Sequence, residues 1–328
     1  MAARPPARSL LPALGLIFLA PLVAEFLLGN LPIKLIVALI PIAPMYGGGA
    51  LLIREAVRRT RRGWPSIFLL ALAYAVVEEA FTTQTLFNPN YLHLNMHLLD
   101  HGYIPALSIG AWWTVFVLSL HVIWSISASI ALVESSVPDR AATPWLGRVG
   151  LAVVALLFIA GVIIGALLGL HQDHFVASIA QFATSAAIVV GLIAAAFLIP
   201  PHEKTVHECP PGYRGLAALT LTAGSAILLM PPRWGWGAAA AILALEAIVG
   251  IRIYLWGRST KWSPLHQLAL AAGAAMAYAW HSFLQTPVSG GTGPVTRIGN
   301  AVFTTAAIAL IYFAFRRSRA WNRRPSTA

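Results

Sequence analysis

The residues with the clearest potential for chemistry are two adjacent acids, Glu78 and Glu79, in one long apolar segment and His121 in the next. An acidic side chain inside lipid costs about 2.5–3.5 kcal/mol on insertion scales, so it is kept mostly where it faces a cavity or a partner. Adjacent carboxyls in a low dielectric do not both ionise readily, and one of them can exchange a proton with a neutral imidazole. We therefore predict that Glu78, Glu79 and His121 form a catalytic site that activates water, or a relay that moves protons.

The two segments can bring these side chains together. At about 100° per residue, one arc of a helix holds Glu78, Glu79, Thr82, Thr83 and Thr85, and His121 shares a helical face with Ser125. Counted from the outer ends of the segments at about 1.5 Å per residue, Glu78 lies about 14 Å deep and His121 about 20 Å deep. The predicted accessory residues, all polar positions in apolar segments, are Thr82, Ser125, Glu246 and His281. A purely structural interpretation stays open, in which one carboxyl is protonated and hydrogen-bonded to a neighbouring helix.

A Glu-Glu pair inside a helix, followed by a helix with a Phe and then a His, resembles the CAAX protease and bacteriocin-processing family of intramembrane glutamate proteases. Members of that family carry Glu-Glu-x-x-x-Arg, Phe-x-x-x-His and His-x-x-x-Asn on successive core helices. The resemblance implies that Glu78 takes the position of the base with Glu79 beside it, and that His121 takes the position of the first histidine. In that family these groups are thought to position and activate the attacking water.

The resemblance covers the third and fourth apolar segments, and the chain departs from the family pattern at three points. Thr83 stands where the family has Arg, and Phe116 precedes His121 by five residues instead of four. The third motif has its counterpart in His281, which begins His-Ser-Phe-Leu-Gln and lies about 160 residues after His121.

Composition places these residues in a membrane protein. Of 328 residues, 58% are apolar and 10% are charged, whereas a soluble domain carries roughly a quarter charged residues to wet its surface. Apolar runs of about 20 residues, enough to cross a hydrocarbon core about 30 Å thick, recur along the chain. We predict an all-α polytopic transmembrane helix bundle of about ten helices, in a single integral membrane domain over 1–328. The predicted spans are 10–29, 31–53, 64–87, 108–133, 148–170, 176–199, 214–231, 236–256, 264–286 and 298–315.

Charge placement predicts the orientation of this bundle. With the N-terminus in the cytoplasm, 19 Arg and Lys residues fall in inner segments and only three, Lys34, Arg233 and Arg297, in outer ones. The positive-inside rule therefore predicts that both termini are cytoplasmic, with a basic tail at 316–328. The net charge of +11 then indicates contact with lipid headgroups of the plasma membrane and no nucleic-acid partner.

The outer His-rich loop, 88–107, holds a second candidate site. His93 and His97 form a His-x-x-x-His pair, which on a helix places two imidazoles on one face at a spacing used to hold zinc, and His101 follows four residues later. A metal or pH-sensing site is predicted there as an alternative, and no other cofactor is indicated. The competing interpretation is a short interfacial helix whose histidines face water.

Three functions remain open from the residues alone. The first is a protease-like intramembrane hydrolase that uses Glu78, Glu79 and His121 on a membrane-embedded or small-molecule substrate. The second is a proton-coupled transporter, which predicts two-fold symmetry between the first and last five spans and broken helices at mid-membrane. The third is a non-catalytic membrane protein or a sensor that uses the outer histidines. Because the intramembrane acids lie in the outer halves of their predicted spans, we expect any site to open outward.

Overall fold

The structure is a computed structural model that describes residues 9–200 and 208–323, and its architecture is a bundle of ten long helices joined by loops. Within the described residues, seven of these helices are long and apolar enough to cross a membrane, and Leu11–Leu27 is a shorter apolar helix. The predicted all-α bundle is confirmed. The helices are α1 (Leu11–Leu27), α2 (Ile33–Arg59), α3 (Trp64–Thr82), α4 (Ala111–Ser136), α5 (Arg148–Asp173), α6 (Ile179–Leu198), α7 (Tyr213–Leu228), α8 (Trp236–Gly257), α9 (Pro264–His281) and α10 (Pro294–Asn322).

Three of the helices contain a π-helical segment, in which backbone hydrogen bonds reach five residues instead of four. The segments are Leu22–Leu27 in α1, Glu78–Thr82 in α3 and His121–Ala128 in α4. Each of them carries an acid or the histidine that the sequence singled out. π segments are rare in proteins overall, but those that occur are often found at functional sites. This coincidence therefore directs attention to the place where the three helices meet.

Residues 83–110 form an irregular outer segment between α3 and α4. It contains a 3-10 turn, Tyr91–His93, and a small antiparallel hairpin of β1 (Tyr103–Ile104) and β2 (Ile109–Gly110). Gln84 has φ 56°, in the left-handed region, so the α3 helix ends before it. The polar arc expected on a helix over 78–85 therefore continues as a turn after Thr82.

Close helix packing depends on glycine at the centre of α2. A Cβ on Gly47 would lie 2.0 Å from the backbone oxygen of Ile17 on α1, and a Cβ on Gly49 would lie 2.5 Å from the Tyr74 ring on α3. Small residues let membrane helices approach closely, because packing contacts replace the hydrophobic effect as the source of association. α2 is thereby seated directly against α1 and α3.

The helices divide into a central group and a lipid-facing group. The most apolar windows of α3 and α4 are each 67% buried, whereas those of α5, α6, α8 and α10 are 11–17% buried. Large apolar side chains on these outer helices are exposed, as lipid contact requires. α10 extends to Asn322, so residues 316–322 of the predicted cytoplasmic tail continue its helix, and residues 324–328 lie outside the described part of the chain.

A buried ion network closes the inner end of the bundle, the end where α3 begins and α4 ends. Arg54 of α2 is fully buried and donates hydrogen bonds to Glu55 at 2.9 Å and to Glu134 of α4 at 3.2 Å. It also donates to the backbone oxygens of residues 140, 141 and 143 at 2.9–3.1 Å, and its guanidinium stacks 3.3 Å above the Trp145 ring. The sequence places Arg54 among the inner charges, and the structure shows it buried at that end of the bundle, where Glu55 and Glu134 draw it into the protein.

Both carboxylates of this network are fully paired. Glu134 accepts two parallel hydrogen bonds from Arg58, at 2.8 and 2.7 Å, and one from Gln267 of α9 at 3.2 Å. Glu55 accepts the backbone N–H groups of Trp145 and residue 146 at 2.7 and 3.2 Å. The network thus joins α2, α4, α9 and the loop that follows α4.

Replacing Glu134 with Gln leaves Arg54 and Arg58 buried without their shared carboxylate. Breaking a buried pair from one side costs about 3–5 kcal/mol, so we expect a large fall in thermal stability in detergent. The matched control is Glu208→Gln, because Glu208 pairs with Arg252 at 3.1 Å in an exposed ion pair worth at most about 1 kcal/mol. Equal unfolding temperatures for the two variants would contradict the network's role.

Replacing Gly47 with Ala tests the helix packing. The new methyl meets the α1 backbone, which cannot move aside as a side chain can, so we expect a loss of about 1–3 kcal/mol. Gly250→Ala on lipid-facing α8 is the control, since nothing described lies within 4 Å of its Cβ position. There the higher helix propensity of Ala should leave stability unchanged or raise it by up to about 1 kcal/mol. Thermal unfolding of both variants in one detergent makes the comparison.

Candidate functional site

The three π segments place their polar residues at the same height in the membrane. Glu25 and Glu78 each lie about 14 residues above the inner ends of α1 and α3, and His121 lies about 15 residues above that of α4, roughly 21 Å in each case. In α3 the local cause of the π segment is visible, because the backbone N–H and the hydroxyl of Thr83 both bond to the Glu78 carbonyl, at 2.9 and 3.1 Å. A five-residue hydrogen bond is thereby reinforced by a side chain.

The site predicted from sequence is assembled around the imidazole of His121. Its Nε2 lies 2.7 Å from Oε1 of Glu79, and its Nδ1 lies 3.2 Å from Oε2 of Glu78. All three side chains are buried, with 2–6% exposed. The ring therefore lies between two carboxyl groups of consecutive residues, one at each nitrogen.

Glu79 is held rigidly. Its Oε2 accepts hydrogen bonds from the hydroxyls of Thr83, at 3.2 Å, and Thr85. Thr85 in turn accepts the indole N–H of Trp113 on α4 at 3.0 Å. With Oε1 on His121, both oxygens of Glu79 are occupied, so this carboxyl orients the imidazole and has no free face.

Glu78 is less completely hydrogen-bonded than Glu79. Its Oε2 has no hydrogen-bond partner in the described part of the chain, since the contact with His121 Nδ1 lacks hydrogen-bond geometry. The buried hydroxyl of Tyr74 lies beside the Glu78 carboxyl, close enough to interact with it, but neither atom makes a hydrogen bond of regular geometry. Ser125 approaches His121 Nδ1 to 3.3 Å from the next turn of α4. Unpaired buried polar atoms are expensive, so this point of the site is suited to hold a water molecule or a ligand.

The structure adds Tyr46 and Tyr74 to the site, together with Glu25, which the sequence suggests only as a proton carrier for a transporter. The Tyr46 hydroxyl donates to Glu25 at 2.5 Å, Asn30 donates to the other oxygen of Glu25 at 2.6 Å, and the Tyr46 and Tyr74 rings each lie 6.0 Å from the His121 ring. One signal was available for Tyr74, because it precedes Glu78 by four residues and so shares its helical face.

The charges of the site do not balance. Glu78 and Glu79 share His121 as their basic partner, and Glu25, which is bonded to Tyr46 and Asn30, has no ion pair among the described residues. Excess negative charge inside a membrane is costly, so the site requires protons or a bound cation.

Of the predicted accessory residues, Ser125 lies in the site. Thr82 turns away: its hydroxyl lies 3.5 Å from the Val77 carbonyl, and its methyl faces α5 near Gly165. The structure places the other two on separate surfaces. Glu246 of α8 is within hydrogen-bonding reach of Ser119 on α4, and His281 packs against Trp280 at the end of α9.

The outer histidines do not share a helix face. Leu92, His93 and His97 have left-handed backbone conformations, so the loop is irregular where a helix was expected. His93 contacts Asn90 and the carbonyl of Gln172, at 3.0 and 3.1 Å, and His97 contacts Asp100 at 2.8 Å. His101 packs against the Trp112 ring instead. Among the described residues, one group of three side chains has its possible metal-ligand atoms within 4.8 Å of one another. These side chains are Glu78, Glu79 and His121.

One family of known proteins matches this chain over most of its length. A family model matches residues 14–322, from within α1 to the end of α10. The chain belongs to an uncharacterized membrane protein family. No curated protein and no solved structure matches it significantly. The protein is therefore a multi-pass membrane protein, and the matched residues include every side chain of the site described above.

Tyr46 and Tyr74 allow a matched test of this geometry. Tyr46→Phe removes a hydrogen bond to a carboxyl, and we expect it to cost about 1.5–3 kcal/mol. Tyr74→Phe removes a hydroxyl that makes no hydrogen bond of regular geometry, so we expect a smaller loss. Thermal unfolding of the purified variants measures both, and a larger loss for Tyr74→Phe would contradict the assignment of the two hydroxyls.

Proposed function

We propose that this protein is a membrane-embedded hydrolase in which Glu78 and His121 hold the attacking water. The observation that carries the proposal is the pair of unpartnered buried atoms, Glu78 Oε2 and Tyr74 Oη, next to an imidazole that a second carboxyl orients. A base with a free oxygen, an oriented histidine and a spare hydroxyl donor are the parts that hydrolysis of a carbonyl compound requires.

The residues take distinct roles in this reaction. The water oxygen attacks the substrate carbonyl carbon while its proton passes to Glu78, and the same proton later passes to the leaving group as the bond to carbon breaks. The Tyr74 hydroxyl donates to the oxygen that becomes negative in the tetrahedral intermediate. Glu79 acts through His121, because its hydrogen bond to Nε2 determines which ring nitrogen faces the water. The resemblance of segments three and four to intramembrane glutamate proteases supports this division of roles.

The surroundings of the site favour a substrate that is itself in the membrane. Glu78, Glu79 and His121 are almost completely buried, which favours entry from the bilayer over entry from bulk water. The substrate class that follows is a membrane-embedded or lipid-anchored peptide in the outer half of the plasma membrane. Lipid contact on the exposed helices is the accompanying interaction.

A proton-coupled transporter has less support. The site's excess of carboxyls over basic groups suits proton transfer, and broken helices are typical of transporters. However, the π segments lie in α1, α3 and α4, whereas the described parts of α5 to α10 have no π segment. A two-fold repeat would place matching interruptions in both halves. The sensor hypothesis also has less support, because the outer histidines contact separate local partners.

Glu78→Gln tests the proposal directly. The amide keeps the size of the side chain but cannot accept the proton from water, so we expect turnover to fall by at least about 100-fold. The assay uses the full chain in liposomes with membrane-anchored and isoprenylated peptides, and detects cleavage by mass spectrometry. Glu208→Gln, at the exposed pair with Arg252, is the control and should retain full activity.

Two results would reject the hydrolase. One is a folded wild-type protein that cleaves none of these substrates, and the other is a Glu78→Gln variant with wild-type turnover. Tyr74→Phe adds an independent measure, because we expect a loss of about 10-fold or more in turnover with only a small loss of thermal stability.

A further inference from the structure

The site has the arrangement of a metal centre with an outer carboxylate. We propose that Glu78 Oε2 and His121 Nδ1 bind one divalent transition-metal ion of the zinc or manganese type, and that Glu79 positions the histidine from the opposite side. The inference deepens the proposed function: the role of the ion in catalysis rests on that function, whereas its binding does not.

The distance between the two proposed ligand atoms fits a shared ion. Glu78 Oε2 and His121 Nδ1 lie 3.2 Å apart without hydrogen-bond geometry. Two ligands at about 2.0–2.2 Å from one ion, with an angle between octahedral and tetrahedral values, are separated by roughly 3.0–3.4 Å. The pair is therefore spaced as two ligands of a common ion are spaced.

The other ring nitrogen of His121 is held as it is in histidines that bind metals. His121 Nε2 lies 2.7 Å from Glu79, whose remaining oxygen is bonded by Thr83 and Thr85. Histidines that bind metals almost always donate their second N–H to a carboxylate or a carbonyl, which fixes the tautomer and points the other nitrogen at the ion. In this arrangement Nε2 carries the proton, and the lone pair of Nδ1 stays available beside Glu78 and the Ser125 hydroxyl.

The carboxyls of the site outnumber its basic groups. Glu78 and Glu79 share one histidine, Glu25 lies beyond Tyr46 without an ion pair among the described residues, and a divalent cation supplies the missing positive charge inside the membrane. Mixed carboxylate and imidazole ligands suit zinc, manganese and iron better than magnesium or calcium, which prefer oxygen alone. The hydroxyls of Tyr74 and Ser125 border the same point and leave positions open for water.

Such an ion would add a second role to Glu78 within the proposed reaction. Glu78 would hold the ion through Oε2, and the ion would supply Lewis-acid activation of water. The other oxygen of Glu78 still accepts the proton of the attacking water and passes it to the leaving group as the bond to carbon breaks.

The test is metal binding by the full-length protein in detergent, without substrate. After chelator treatment, equilibrium dialysis against Zn²⁺ should give one ion per chain, and Co²⁺ should give the visible absorption of a site with a nitrogen ligand. We expect Glu78→Gln to weaken binding by at least about 100-fold and Glu79→Gln by about 10–100-fold, as removal of an outer carboxylate does. The controls are Glu208→Gln and a variant with both His93→Ala and His97→Ala, which should bind as the wild type does.

Several outcomes would overturn the inference. They are a wild-type protein that binds no Zn²⁺, a Glu78→Gln variant that binds as tightly as the wild type, and loss of the ion in the outer-histidine variant. If Glu78→Gln does not fold, Glu78→Asp replaces it: a weaker site with an altered Co²⁺ spectrum supports the inference, and an unchanged spectrum contradicts it. Peptide cleavage without metal binding would leave the hydrolase standing and reject the ion, whereas metal binding without cleavage would do the reverse.

Discussion

The structure depends above all on the cost of leaving charge unpaired inside a membrane. At the inner end, Arg54 meets this cost with two carboxylates, three backbone oxygens and the face of Trp145. Because its partners come from α2, α4 and the loop after α4, the pairing also holds those elements in register. Polar groups in lipid have few alternatives to such partners, so the network constrains the bundle more than a similar surface cluster would.

In the outer half of the bundle, the buried polar groups are only partly paired. Glu79 has every oxygen bonded, whereas Glu78 and Tyr74 each keep an unpartnered atom beside His121. Other described residues also keep buried atoms without partners, but here two such atoms lie side by side next to an imidazole, and each one costs free energy. The contrast between a saturated inner network and an unsaturated outer site is what separates a structural from a functional interpretation of the buried acids.

The path of the backbone explains how both clusters fit into so few helices. Glycines at the centre of α2 let it approach α1 and α3 closely, which brings Tyr46 to Glu25 and the Tyr74 ring to His121. π segments in α1, α3 and α4 then change the direction of the side chains locally at one height. The helices α5, α6, α8 and α10 form a lipid-facing layer around this centre, so the chemistry is confined to the first four helices and their immediate neighbours.

The sequence by itself determined the membrane bundle, because apolar runs of span length and a scarcity of charge have no stable alternative to helices in lipid. It also indicated that Glu78, Glu79 and His121 belong together, since buried ionisable groups on adjacent helices need partners. Only the tertiary structure decided which partners they have. A helical wheel assumes a constant period, so it placed Thr82 with the acids and could not anticipate the π segment that turns Thr82 toward α5. Likewise, Arg54 and Glu134 are 80 residues apart, and nothing local distinguishes a solvated arginine from one that long-range packing buries.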